Sequence, residues 1–264
     1  MLAWAVICFA VFLIGLTKSG LGGGMGLIVV PMTAIALAWT PLGSEAALGL
    51  LLPLLIAGDL LSIGQYRKVF DFSKVKPLLI PTAAGVILGS LLLWWIHKQE
   101  NQQLISTLMR LEIGLESIFL VSLYWWRQYM GMQQKLMSEP ARSIVTGTFT
   151  GVSTTLAHAA GPIIAAYLLP LKLDRRVFVG TTAVFFFLAN TSKLPTYYMA
   201  GLFDRIDWRL TLKLLPLVIL GAACGFWLVK RLTDQSYFRF IYGAVFAVGW
   251  YLVIESMGRL VGLI

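Results

Sequence analysis

A glycine-broken apolar segment occurs twice in this chain. Gly15-Leu-Thr-Lys-Ser-Gly-Leu-Gly-Gly-Gly-Met-Gly26 returns in altered form as Gly151-Val-Ser-Thr-Thr-Leu-Ala-His-Ala-Ala-Gly-Pro162. Each break interrupts otherwise continuous hydrophobic sequence. Later landmarks recur at one spacing: Asp71 and Asp207, Gly85 and Gly221, and Gly89 and Gly225 all lie 136 positions apart. The pattern is that of two copies of one design. Paired interruptions in apolar segments point to a secondary carrier whose substrate site lies between the breaks.

Composition fixes the solvent. Of 264 residues, 58% are hydrophobic and only 12% are charged, against about 25% charged in soluble domains. The expected class is an all-α polytopic membrane protein. The first apolar stretch has no basic residues ahead of it and no small-residue cleavage site, so it is expected to remain in the mature chain. Cys8 and Cys224 have no metal-ligand or disulfide spacing around them and read as packing residues. The net charge of +9 follows from basic residues in short cytoplasmic loops and carries no substrate information. Those residues form no long basic stripe, so a nucleic-acid partner is not expected.

A bilayer core takes about 20 apolar residues per straight helix. The stretches 2–16 and 25–39 are shorter and read as two half-length helices meeting at the glycine cluster. Full spans are expected at 44–66, 77–96 and 103–126. The polar stretch 127–142, with Lys135, Glu139 and Pro140, reads as a cytoplasmic connector. A second broken pair follows at 143–157 and 161–171, then spans at 177–199, 212–229 and 237–257. The expected organisation is a first repeat at 1–126, the connector at 127–142 and a second repeat at 143–264, each a broken or re-entrant helix pair plus three transmembrane helices. An odd number of crossings per repeat inverts the second copy. Lys and Arg concentrate in the loops at 67–76, 127–142, 172–176 and 230–239. The positive-inside rule therefore places those loops in the cytoplasm of a bacterial-type inner membrane and both termini outside.

Non-helical chain at membrane depth is tolerated only where protein buries it or a cavity is lined by it, which makes each break a candidate site. The second half-helices begin near Gly24 and Gly161. Their free amides and positive dipole ends suit an anion, and Gly22, Gly23 and Gly24 let a ligand approach the backbone. Pro162 in a first turn loses no hydrogen bond. Lys18, in the first break, either neutralises an anionic substrate or pairs with an acidic neighbour. Ser19, Thr154 and Thr155 supply hydroxyls at matched places, as ligand donors or as helix caps. His158 falls opposite Gly22 in the repeat alignment. It either binds an anion or relays a proton, or it is a structural hydrogen-bonder. Aligning Gly49–Leu60 with Gly180–Thr191 places Asp59 opposite Asn190, with Lys193 one turn further on. Asp59 is a candidate proton carrier or the partner of Lys18 or Lys193. Arg110, Glu112 and Glu116 read as a local ion-pair group, and Asp71 and Asp207 as helix caps. Gly85 with Gly89, and Gly221 with Gly225, have the spacing of close helix packing.

Several of these segments together resemble the TauE/SafE family of sulfite exporters and related anion permeases. They are Lys18-Ser-Gly-Leu-Gly-Gly-Gly with Pro31 downstream, Thr154-Thr-Leu-Ala-His-Ala-Ala-Gly-Pro162, Phe178-Val-Gly-Thr-Thr-Ala and Asn190-Thr-Ser-Lys-Leu-Pro195. The resemblance runs through nearly the whole chain in order. It implies a secondary transporter of sulfite, organosulfonates or other small sulfur oxyanions, with no cofactor. The bilayer and a small anion are then the partners, and a homo-oligomer is compatible with the sequence. No nucleotide-binding loop is present, so a gradient must supply the energy, and a proton gradient is the simplest expectation given His158 and Asp59. An uncoupled anion or small-solute channel is the alternative. With only His97 and His158, far apart, the chain has no clustered acid–base or metal-ligand pattern of the kind an enzyme would need.

Overall fold

The computed structural model describes residues 2–22, 26–43, 46–97, 138–158, 160–204 and 206–262, with scattered positions between 107 and 129. All regular elements among the described residues are helical. They are α1 (Leu2–Gly20), α2 (Gly26–Ala38), α3 (Ala46–Tyr66), α4 (Phe72–His97), α5 (Glu139–Ala157), α6 (Gly161–Leu168), α7 (Arg175–Ser192), α8 (Leu194–Met199), α9 (Trp208–Arg231) and α10 (Asp234–Leu260). A 3-10 turn, Leu169–Leu171, extends α6. Five helical stretches are long and apolar enough to cross a bilayer: Leu2–Gly20, Ala46–Tyr66, Phe72–Trp95, Arg175–Met199 and Trp208–Arg231. The protein is a multi-pass membrane protein.

Element boundaries differ from the sequence expectation in instructive places. The first helix does not stop at Leu16; it continues through Lys18 and Ser19 to Gly20. The lysine ends no helix because its charge is met by a carboxylate on α3. Helix α5 starts at Glu139, with Pro140 in its first turn where a missing amide costs nothing. The stretch expected at 177–199 is divided at Lys193 into α7 and α8. Of the expected span 103–126 only scattered positions are described, and most of the connector lies outside the described residues, as do Arg110, Glu112 and Glu116.

Aspartates start helices as expected. The Asp71 carboxylate accepts from the Ser73 amide (3.0 Å) and hydroxyl (2.6 Å), and that hydroxyl bond holds its ionisation below the usual carboxylate range. At the equivalent place before α9, Asp207 accepts from the Arg209 amide at 2.9 Å. Outward faces of α4 and α9 are apolar, with Ile80, Leu88, Ile219, Leu220 and Trp227 exposed, which suits contact with lipid. Trp94, Trp95, Trp208, Trp250 and Tyr251 are exposed too, as interfacial anchors would be. Cys224 is likewise exposed, so it faces outward instead of packing in the interior.

Two helix pairs pack backbone to backbone, and each joins the two halves of the sequence. Helix α1 lies along α9, and α4 lies along α5. Glycine makes both approaches feasible. A β-carbon on Gly15 would collide with the backbone of Val218 and Ala222, and one on Gly221 with that of Phe12 and Leu16. In the other pair, a β-carbon on Gly151 would strike the backbone of Thr82, Gly85 and Val86, and one on Gly85 that of Thr148 and Gly151. Gly15 and Gly151, like Gly85 and Gly221, are 136 positions apart, so one contact is built twice from corresponding residues.

Gly151→Val is expected to destabilise the protein by about 1–3 kcal/mol or more, the usual cost of overpacking, because backbone atoms cannot rotate aside. Gly64, with nothing within 4 Å of an added β-carbon, provides the control. Gly64→Ala should leave stability unchanged or raise it by up to about 1 kcal/mol, as read from thermal unfolding in detergent.

Candidate anion site between two helix ends

Helices α1 and α5 both end inside the protein, which leaves carbonyls of their last turns without intrahelical donors. Side chains from α3 and from the α7–α8 segment meet them. The Ser62 hydroxyl donates to the Lys18 carbonyl (3.0 Å) and the Tyr66 hydroxyl to the Ser19 carbonyl (2.8 Å). Across the site, Lys193 Nζ donates to the Thr154 carbonyl (2.9 Å) and the Tyr197 hydroxyl to the Thr155 carbonyl (2.6 Å). Ser62 and Tyr66 are each 131 positions before Lys193 and Tyr197, while Lys18 and Ser19 are each 136 positions before Thr154 and Thr155. The two halves therefore tie down their broken helices with corresponding atoms.

The backbone beyond each helix end turns the same way. Gly22 has φ of 59° and His158 has φ of 52°, and these residues too are 136 positions apart. A left-handed conformation is free for glycine and costs a non-glycine residue about 1–2 kcal/mol. His158 holds it through its ring. Nε2 lies 3.2 Å from the Leu48 carbonyl, Nδ1 lies 2.8 Å from Lys193 Nζ, and the ring packs beside Tyr197 with centroids 5.8 Å apart.

Charges are buried between these ends. Lys18 Nζ pairs with Asp59 Oδ1 at 2.8 Å, with the Lys18 side chain 7% exposed and that of Asp59 fully buried. The other carboxylate oxygen, Oδ2, accepts from Asn190 Nδ2 at 2.7 Å, so the residues that the repeat alignment set opposite one another are in direct contact. The Lys18 ammonium also sits 4.4 Å from the centre of the Phe186 ring, a favourable cation–π placement. Lys193 is fully buried at the α7–α8 junction. Besides the Thr154 carbonyl and His158, its amine donates to Thr154 Oγ1 at 3.1 Å.

A small cavity lies between the two helix ends. Its lining combines the polar residues Lys18, Thr17, Thr154, His158 and Asn190 and the helix start Gly161 with the apolar Ile14, Val29, Leu55 and Phe186. Its room for the centre of a water-sized sphere is about 20 Å³, enough for one or two waters. Hydrogen-bond donors converge on it. Lys18 has one carboxylate partner and two further N–H groups, and Asn190 has a second amide hydrogen. Gly161 opens α6, where first-turn amides lack intrahelical acceptors. The Asp59 carboxylate lies behind two of the lining residues, with Lys18 at one oxygen and Asn190 at the other. Such an arrangement attracts an anion and repels a cation.

Of the residues singled out in the sequence, Lys18, Thr154, His158, Gly161 and Asn190 line this cavity, and Asp59 and Lys193 are bonded to its lining residues. Three others do not line it. Ser19 is buried with no partner for its hydroxyl among the described residues, Gly22 backs onto Phe178, and the Thr155 hydroxyl is spent on the Gly151 carbonyl (2.8 Å). Ser19 and Thr155 instead contribute their carbonyls as anchor points. Gly23 and Gly24 lie outside the described residues. Sequence reasoning missed Ser62, Tyr66 and Tyr197. Carrying the alignment of Gly49 with Gly180 six residues past Leu60 would have set Ser62 opposite Lys193 and Tyr66 opposite Tyr197.

Tyr66→Phe and Tyr197→Phe should each cost about 1–3 kcal/mol, since each strands a buried carbonyl, and the two losses should be similar. The buried ion pair gives a sharper expectation. Asp59→Ala or Lys18→Ala alone should cost about 3–5 kcal/mol, while the apolar double variant Lys18→Met/Asp59→Leu should regain most of that stability. Chemical unfolding of the single and double variants measures both effects.

The profile of the family described as "Sulfite exporter TauE/SafE" matches residues 7–252. No curated protein and no solved structure matches the chain.

Proposed function

Because the chain belongs to the sulfite exporter TauE/SafE family, we propose that it is a secondary transporter of sulfite, organosulfonates or related small sulfur oxyanions that binds its substrate in the cavity between the α1 and α5 ends. The family makes it a membrane transporter with a small-anion substrate. The observation that carries the finer reading is the convergence of Lys18, Asn190, Thr154, His158 and the start of α6 on one small cavity, with the Asp59 carboxylate paired to Lys18 and Asn190. The proposed substrate contacts are Lys18, Thr154, His158, Gly161 and Asn190. Asp59 and Lys193 hold these contacts in place, Ser19, Gly22 and Thr155 set the helix ends, and Gly23 and Gly24 complete the first break.

The proposed architecture is two inverted repeats, residues 1–126 and 143–264, joined by a cytoplasmic connector at 127–142. The duplicated carbonyl anchors and the two glycine contacts, α1 with α9 and α4 with α5, support it. Alternating access then consists of one repeat rocking against the other about the cavity. The proposed setting is a bacterial-type inner membrane with both termini outside, which the distribution of Lys and Arg supports. A proton gradient is the proposed driving force, and Asp59 and His158 are the acid–base side chains beside the cavity.

Purified protein in liposomes should take up radiolabelled sulfite saturably, and an imposed pH gradient should speed uptake. The folded variant Lys18→Met/Asp59→Leu should reduce uptake at least about tenfold, equivalent to about 1.4 kcal/mol or more of lost binding or barrier lowering. Uptake that rises linearly with concentration and ignores the pH gradient would instead identify a channel. Unchanged uptake in the double variant would move the site elsewhere.

A further inference from the structure

Much of the polar lining of the cavity is already spent on the protein itself. Both ring nitrogens of His158 are engaged, Nε2 with the Leu48 carbonyl at 3.2 Å and Nδ1 with Lys193 Nζ at 2.8 Å, so the ring meets the cavity through carbon. The Thr17 hydroxyl donates to the Ile14 carbonyl at 3.1 Å, and Thr154 Oγ1 is tied to Lys193 Nζ at 3.1 Å. The strongest donors left for a ligand are the Lys18 ammonium and the second Asn190 N–H, which the Asp59 carboxylate holds side by side. Apolar lining residues gather at a separate place. Ile14 precedes Lys18 by about one turn of α1, and Leu55 precedes Asp59 by about one turn of α3. The two helices run in the same direction, since Gly58 lies against Ile14 and Lys18, Ser62 reaches the Lys18 carbonyl and Tyr66 reaches the Ser19 carbonyl. Ile14 and Leu55 therefore lie on the same side of the ion pair. With Val29 of α2 they belong to one packed apolar cluster, and all three line the cavity.

We propose that the cavity prefers organic anions that are polar at one end only, with the anionic head at Lys18 and Asn190 and a short alkyl tail against Ile14, Val29 and Leu55, and that these three apolar residues set a preference for tailed anions over bare inorganic ones. The inference rests on the reading of the cavity as an anion site and adds the uncharged part of the substrate. A methyl group on the apolar wall leaves water without losing a hydrogen bond, whereas an oxygen or nitrogen placed there loses its water partners and gains none. An alkylsulfonate satisfies both parts of the site. Sulfite reaches the same donors but turns no carbon toward the wall, so it binds more weakly. The small room in the cavity keeps the tail short.

Methanesulfonate and sulfamate are near-isosteric monoanions that differ by a methyl against an amino group, so they separate the polarity of the tail from its shape and charge. Calorimetric titration of the purified full chain should show methanesulfonate bound at least about tenfold more tightly than sulfamate. Ethanesulfonate should bind about fourfold more tightly than methanesulfonate, the gain expected for one buried methylene, and sulfite more weakly than either alkylsulfonate. Val29→Thr, which keeps the shape of the wall and adds a hydroxyl, should close most of the gap between methanesulfonate and sulfamate. Leu55→Ala should move the best-bound alkyl chain to greater length, a change that a residue important only for folding would not produce. If a variant fails to fold, the ligand series on the unmodified protein decides alone. Equal binding of methanesulfonate and sulfamate would overturn the apolar wall and leave the sulfur-anion reading standing. Binding of acetate and propionate with the same gain per carbon, and of no sulfonate, would keep the wall and sink the sulfur-anion reading. Binding of none of these anions would overturn both.

Discussion

A helix that ends inside a membrane protein exposes carbonyls that lipid cannot satisfy, and the rest of this structure is arranged around meeting that demand twice. Ser62 and Tyr66 meet it at the end of α1, and Lys193 and Tyr197 meet it at the end of α5. The elements that reach those carbonyls, α3 and the α7–α8 segment, also touch each other through Asp59 and Asn190. The helices so anchored must also approach their neighbours closely, and Gly15, Gly85, Gly151 and Gly221 make that approach feasible without β-carbons.

On this doubled scaffold the chemistry is single. At each pair of matched positions around the cavity one half has an ionisable side chain and the other a neutral one. Lys18 stands opposite Thr154, Asp59 opposite Asn190, Lys193 opposite Ser62 and His158 opposite Gly22. Backbone roles tolerate this substitution because a hydroxyl and an ammonium can both donate to a carbonyl. The ion pair between Lys18 and Asp59 shows the consequence. Two costly charges in an apolar interior become mutually supporting, while Lys193 is spent on Thr154 and His158.

Much of this was legible in the sequence, because charged residues and glycines stand out against an apolar background. Lys18, Asp59, His158, Asn190 and Lys193 are conspicuous for that reason, and the spacing of 136 aligned the aspartate caps and the packing glycines correctly. Other features were hidden for physical reasons. A lysine near a glycine cluster reads as a helix terminator until its partner, 41 positions on, is known to neutralise it, so the end of α1 was set too early. Ser19 and Thr155 were noticed for their hydroxyls, whereas their carbonyls are what the fold uses, and a backbone atom has no signature in residue identity. Tyr66 and Tyr197 did not stand out in the sequence because their burial depends on contacts with distant segments. The offset between matched residues also changes from 136 to 131 between the break and the following helix, which conceals their equivalence from a search at one spacing.

Locating a bound anion tests the account most directly. Hydrogenselenite is a heavier analogue of hydrogensulfite, and its selenium gives an anomalous diffraction signal from crystals of the protein grown in its presence. The account predicts a selenium peak within hydrogen-bonding reach of Lys18, Thr154 and Asn190, beside His158, with Lys193 still bonded to Thr154. A peak at another place in the membrane domain, with this cavity empty of the ion, would contradict it.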